Sequence, residues 1–152
     1  MLRDEIKKQM VEAMKNKEAD KAQTLRLMVA AIKDKDIDAR TKGNQDGIDD
    51  AAILSLLQSM IKQRKESVDM YRQGGRDDLV AHEQAEIDVI SSFLPKQMDD
   101  AEMTSAIQAI IAETGANSIK QMGAVMGALR SKYAGQMDFG KASGIIKSLL
   151  AG

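Results

Sequence analysis

A single proline, Pro95, interrupts a chain of 152 residues whose apolar positions otherwise recur at helical spacing. Proline lacks the backbone N–H that a helix interior needs and pushes the residue before it out of the helical region. A helix therefore has to stop near Phe93–Leu94, and the chain divides there. Upstream, Leu2, Ile6, Met10, Ala13 and Met14 form one apolar stripe. A second helix is expected after Asp20, with Asp20 and Gln23 as a capping box and Leu25, Met28, Val29 and Ile32 as its buried side. The polar segment Asp38–Asp50 predicts a loop. Ile53, Leu57, Met60, Ile61, Arg64, Val68 and Tyr71 then line a long third helix that Gly74–Gly75 ends. A fourth runs from near Asp77 to Phe93–Leu94.

Past the proline the helices shorten. Met103, Ile107, Ile110 and Ile111 mark a fifth, with Gly115 as its cap. Ser118 and Gln121 open a sixth that Gly135 closes, and Asp138 caps a seventh that reaches Leu150. The expected fold is all-α: a bundle of about four helices over residues 1–95, then a small three-helix domain over residues 96–152. Aromatics are only 3%, so the cores must be aliphatic, helped by the 11 methionines. With no cysteine, no apolar h-region in MLRDEIKKQM and no stretch long enough to span a membrane, a soluble cytoplasmic protein without membrane partners is expected.

Within the last two helices, Gly123, Gly127, Gly140 and Gly144 stand where glycine costs up to about 1 kcal/mol each relative to alanine. At about 100° per residue, Met122, Val125, Met126, Leu129 and Tyr133 share the core side of the sixth helix. Lys120, Gly123, Gly127 and Arg130 fall together opposite. In the seventh, Phe139, Ala142, Ile146 and Leu149 face inward, and Gly140, Gly144 and Lys147 face out. Packing in the domain's own core cannot account for such glycines. They could let another backbone approach closely, either a sugar–phosphate chain flanked by cations or a partner helix; the alternative is that glycines on the surface are simply tolerated, since their total cost is only a few kcal/mol. Charge favours this end of the chain for phosphate. From Ser118 onward there are five bases against one acid, in a protein of net charge −1.

No catalytic constellation is found. His82, the only histidine, stands in a polar stretch and is expected to be solvated. Asp36, Asp38, Asp46, Asp49 and Asp50 suggest calcium, but Arg40 and Lys42 fall on ligand positions of the loop register, so no metal site is expected. No phosphate-binding or dinucleotide fingerprint is present, and no cofactor is expected. With two tyrosines, two phenylalanines and no tryptophan, base stacking on single strands is disfavoured; RNA would be read by shape and backbone.

Three segments carry a family resemblance: TLRLMVAAIKDKDID (Thr24–Asp38), MYRQGGRDDLVAHEQAEIDVISSFLPKQM (Met70–Met98) and MGAVMGALRSKYAGQMDFGKASGIIKSLL (Met122–Leu150). They resemble the YqeY-like family. The third is also similar to the tail of GatB, the B subunit of the glutamine-dependent amidotransferase that amidates misacylated tRNA. The resemblance implies a helical N-terminal domain and a three-helix tail that holds the body of a tRNA. It carries over to Lys120, Gly123, Gly127, Arg130 and Lys147 as RNA-binding residues. It implies no carbon–nitrogen ligase catalysis, because the large substrate-activating domain of GatB and an amidase subunit have no counterpart in this sequence. The expected function is a non-catalytic tRNA-binding or accessory module linked to amidation or translation. The alternative is an adaptor that docks a partner helix on the glycine faces.

Overall fold

The computed structural model describes residues 1–151, and its regular structure is entirely helical. The chain forms two compact units, Met1–Leu94 and Pro95–Gly152. The first contains α1 (Leu2–Lys15), α2 (Ala19–Thr41), α3 (Asp50–Gln73) and α4 (Asp77–Ser91). Ile6, Leu25, Met28, Ile53, Leu57 and Ile90, drawn from all four helices, are completely buried in its core.

Several details differ from expectation. Met14 is 48% exposed because it lies about 100° beyond the buried Ala13 and leaves the stripe. The Asp20–Gln23 box does not form: α2 is already helical at Ala19, so Asp20 sits inside the first turn and its carbonyl accepts from Thr24 Oγ1 at 3.2 Å. Asp38–Thr41 extend α2, so the loop is confined to residues 42–49. Helix α4 ends at Ser91; tight bonds from Phe93 N–H to Ile90 O (3.1 Å) and Leu94 N–H to Ser91 O (3.0 Å) wind the chain out before Pro95. Asp49 caps α3 by accepting from Ala52 N–H at 2.9 Å.

Charged groups buckle the loop 42–49 to the helices. The Asp36 carboxylate on α2 accepts from the Arg3 guanidinium on α1 and from Ile48 N–H at 2.9 Å, while Arg3 Nη2 donates to Ile48 O. Gly47 passes so close that a Cβ there would collide with the Asp36 carboxylate, and its φ of +82 is a left-handed conformation. The hydrogen bond from Arg3 is the largest influence holding the Asp36 carboxyl below the usual carboxylate range. A second pair joins α3 to α4: Arg64 Nε lies 2.6 Å from Glu86 Oε2 and Arg64 Nη1 donates to Met60 O at 3.2 Å.

The second unit contains α5 (Asp100–Thr114), a 3₁₀ turn (Ile119–Gln121), α6 (Met122–Lys132) and α7 (Phe139–Ala151). Asp99 and Glu102 form a capping box for α5, and Gly115 ends it at φ +68. Gln121 Oε1 accepts from Asn117 N–H and Ser118 N–H at 2.6 and 3.2 Å, which sets the approach to α6. The turn after α6 is held by Met98 N–H donating to Gln136 O at 2.7 Å and Gln97 Nε2 donating to Gly135 O at 2.6 Å. Met103, Ile107, Val125, Leu129, Met137 and Ile146 fill the core. Leu149 does not join them: it is 40% exposed, whereas Leu150, a full four residues beyond Ile146, is buried.

Two stability predictions follow from these contacts. Because Asp36 ionises more readily folded than unfolded, its contribution is complete above its unfolded pKa of about 3.9 and is lost as pH falls through the lower folded value. Asp36→Asn is expected to cost about 1–3 kcal/mol at pH 7, and urea titrations should show the gap to the unchanged chain closing in acid. Lys17, the one non-glycine residue with positive φ among those described (59°), should tolerate replacement. Lys17→Gly is expected to raise stability by about 0.5–1 kcal/mol; a lower denaturation midpoint would contradict the left-handed assignment.

Candidate nucleic-acid interface

The rotation of α6 and α7 is set by what they bury. On α6, Val125 and Leu129 are at 0% exposure; on α7, Ala142 and Ile146 are too. Everything about 180° away must then face out. Gly123, Gly127, Gly140 and Gly144 are all exposed. A Cβ placed on Gly123, Gly127 or Gly144 meets nothing within 4 Å. Gly140 differs, since its Cβ would stand 3.1 Å from Asp138 Oδ1. That oxygen caps α7 by accepting from Gly140 N–H at 2.9 Å and Lys141 N–H at 3.2 Å.

The cations singled out from the sequence are exposed as well. Arg130 shares the outer side of α6 with Gly123 and Gly127, and its guanidinium carbon lies 5.8 Å from the Phe139 ring centroid. This contact carries the α6 charge to the start of α7. Lys120 lies in the 3₁₀ turn rather than in α6, which shifts its angle by about 40° yet keeps it outside. Lys147 shares the outer side of α7 with Gly140 and Gly144. Lys120, Arg130 and Lys147 have no carboxylate partner among the described residues.

Sequence reasoning did not foresee which bases would be engaged. Lys132 Nζ stands 4.0 Å from Glu113 and Lys141 Nζ 3.9 Å from Asp100, both acids of α5. Such pairs join residues far apart in sequence, so no local spacing announces them. Ser131 and Ser148, each directly after an outward cation, are exposed.

In the first unit, His82 and Asp36 are engaged. His82 is exposed as expected, but its Nε2 lies 2.9 Å from Glu86 Oε1, whose other oxygen meets Arg64. Asp36 is occupied by Arg3 and Ile48. Among the described residues no group of three or more His, Cys, Asp or Glu side chains converges to hold a metal ion, and no helix is long and apolar enough to cross a membrane.

Comparison with known proteins gives a consistent picture. A family model described as "Yqey-like protein" matches residues 3–150. A relative from Eremothecium gossypii, named altered inheritance of mitochondria protein 41, mitochondrial, is 36% identical over 89 residues, covering 59% of this chain and 46% of its own. The protein of that name in Lachancea thermotolerans is 31% identical over 110 residues, 71% of this chain and 57% of its own. The one in Saccharomyces cerevisiae (strain YJM789) is 33% identical over 94 residues, with 62% and 46% covered. The chain spans about half the length of these relatives. Their names contradict the expected cytoplasmic location, since each is called mitochondrial. The absence of cysteine on which that expectation leaned does not distinguish one reducing compartment from another.

If the open glycines are dispensable to the fold, alanine should improve the helices. Gly123→Ala, Gly127→Ala and Gly144→Ala are each expected to stabilise the protein by about 0.5–1 kcal/mol, read as a higher thermal midpoint. Gly140→Ala should gain less because Asp138 must shift. A loss of stability at Gly123 or Gly127 would show that these positions are packed.

Proposed function

The chain belongs to the Yqey-like protein family, and from that premise we propose that its C-terminal unit is a non-catalytic tRNA-binding module serving tRNA-dependent amidation or translation. One observation carries the reading: three helix glycines with open space around them share the outward sides of α6 and α7 with cations that lack carboxylate partners among the described residues. The fold gains nothing from those glycines. A sugar–phosphate backbone gains close approach to the helix and charge on either side of its path.

The aromatic residues support backbone reading over stacking. Tyr71, Phe93, Tyr133 and Phe139 are all half-buried, so none stands out as a platform for a splayed base. The similarity of Met122–Leu150 to the GatB tail supports a folded tRNA as the ligand. The reading assigns no chemical step to this chain; its two part-buried ion pairs, Arg3–Asp36 and Arg64–Glu86, are each engaged internally. The adaptor reading uses the same open glycines to seat a partner helix, and salt separates the two.

The test is a titration of labelled, unmodified tRNA with the full chain, followed by fluorescence anisotropy at low and near-physiological salt. Binding should weaken steeply with salt, by roughly one unit of logarithmic slope per phosphate contact. The double variant Lys120→Glu, Arg130→Glu should abolish it while leaving the chain folded, with a small drop in thermal midpoint from the lost Arg130–Phe139 contact. Gly123→Ala with Gly127→Ala should weaken binding even as it stabilises the fold. Failure to bind at low salt would overturn the tRNA reading.

A further inference from the structure

Helices α6 and α7 carry one pattern twice. From its first residue α6 reads MGAVMGALRS (Met122–Ser131), and from its first residue α7 reads FGKASGIIKS (Phe139–Ser148). Glycine stands second and sixth, a cation ninth and serine tenth in both. The fourth and eighth positions are the fully buried Val125 and Leu129 in one helix and Ala142 and Ile146 in the other. The two segments thus share their register against the helix start and against the core. Burial constrains only the fourth and eighth positions; it does not require a cation followed by serine on the outside.

The serine hydroxyls are free. Some helical hydroxyls fold back on their own helix, as Ser59 Oγ does to Ser55 O at 3.2 Å, Ser67 Oγ to Gln63 O at 3.3 Å and Thr104 Oγ1 to Asp100 O at 2.9 Å. Ser131 and Ser148 are exposed and make no such bond to a described residue. Arg130 meets Phe139 through the ring face, which leaves its N–H groups available to an acceptor.

We infer that α6 and α7 are two copies of one contact element, and that Ser131 and Ser148 donate hydrogen bonds to phosphate oxygens beside those paired with Arg130 and Lys147. This rests on the tRNA reading of the same surface. A phosphodiester presents what each copy complements: one negative charge for the cation and a further acceptor oxygen for the hydroxyl. Two matched elements engage two segments of the RNA backbone, and each contributes equally to the salt dependence.

The test uses the full chain and an unmodified tRNA transcript, with anisotropy measured across a salt series. Arg130→Gln and Lys147→Gln should each lower the slope of log affinity against log salt by about one, and together by about two. Ser131→Ala and Ser148→Ala should each weaken binding roughly three- to tenfold with the slope unchanged, because a neutral donor releases no counterion. Thermal melts of every variant confirm that the fold is retained. Variants of one helix that matter while those of the other do not would overturn the duplication and leave the tRNA reading standing. Serine variants that bind as the unchanged chain does would overturn their assignment. If the unchanged chain fails to bind tRNA at low salt, both readings fall.

Discussion

With four aromatic residues in 152, both cores depend on aliphatic side chains meeting at helical spacing. No ring is among the completely buried side chains, and each helix is held by a few aliphatic positions of complete burial. In the C-terminal unit those positions include Val125 and Leu129 on α6 and Ala142 and Ile146 on α7. Turning α6 or α7 by one residue, about 100°, in the sense that advances the sequence would bring Arg130 or Lys147 toward the core and lift an aliphatic side chain into water. Burying a Leu- or Ile-sized side chain is worth roughly 1.5–3 kcal/mol, so that rotation is strongly disfavoured. The outward side is thereby fixed by the inward one.

Charge then refines what this surface offers. The basic last third of the chain folds beside α5, whose Glu113 and Asp100 draw Lys132 and Lys141 aside at 4.0 and 3.9 Å. Exposed pairs at such distances contribute little to stability, about 0–1 kcal/mol. They are also weak competitors for a polyanion, and both lysines can turn toward phosphate at small cost. The pairs of the first unit are of another kind. Arg3–Asp36 and Arg64–Glu86 are mostly shielded from water and satisfy neighbouring backbone groups as well, so removing one partner leaves a charge stranded. Their work is to hold the loop 42–49 and the α3–α4 pair in place.

The helices themselves were readable because apolar spacing, glycine ends and Pro95 are local signals. The Gly115 cap, the Asp138 cap of α7 and the stripe through Leu25, Met28 and Ile32 all depend on residues within one or two turns. The failures share a cause. Asp20 resembled a cap, but the choice of Ala19 as first helical residue is made by packing of α2, not by a four-residue motif. Leu149 and Leu150 are both apolar neighbours at the end of a helix, and only the position of Ile146 in the folded core decides between them. The outward direction of Gly123, Gly127, Arg130 and Lys147 followed from periodicity alone. Which cations stay free did not, because that depends on acids of a different helix.

The glycines remain the sharpest physical argument about function. Gly127 and Gly144, in the interiors of two short helices, cost together about 1–2 kcal/mol relative to alanine, while Gly123 and Gly140 stand in the first turns. A domain of this kind is stable by only about 5–15 kcal/mol, so the sum is a sizeable fraction. Around Gly123, Gly127 and Gly144 no neighbour excludes a methyl group, and α-helical backbone imposes no need for positive φ there. Neither sterics nor conformation within the chain therefore requires glycine at these three positions. Gly140 has a local partner in Asp138, which shows how an internal reason looks when one exists. At the other three the open space around the glycine leaves no such internal reason, and under the proposed tRNA reading a methyl group there would hold an approaching backbone away and weaken its contact with the flanking charges.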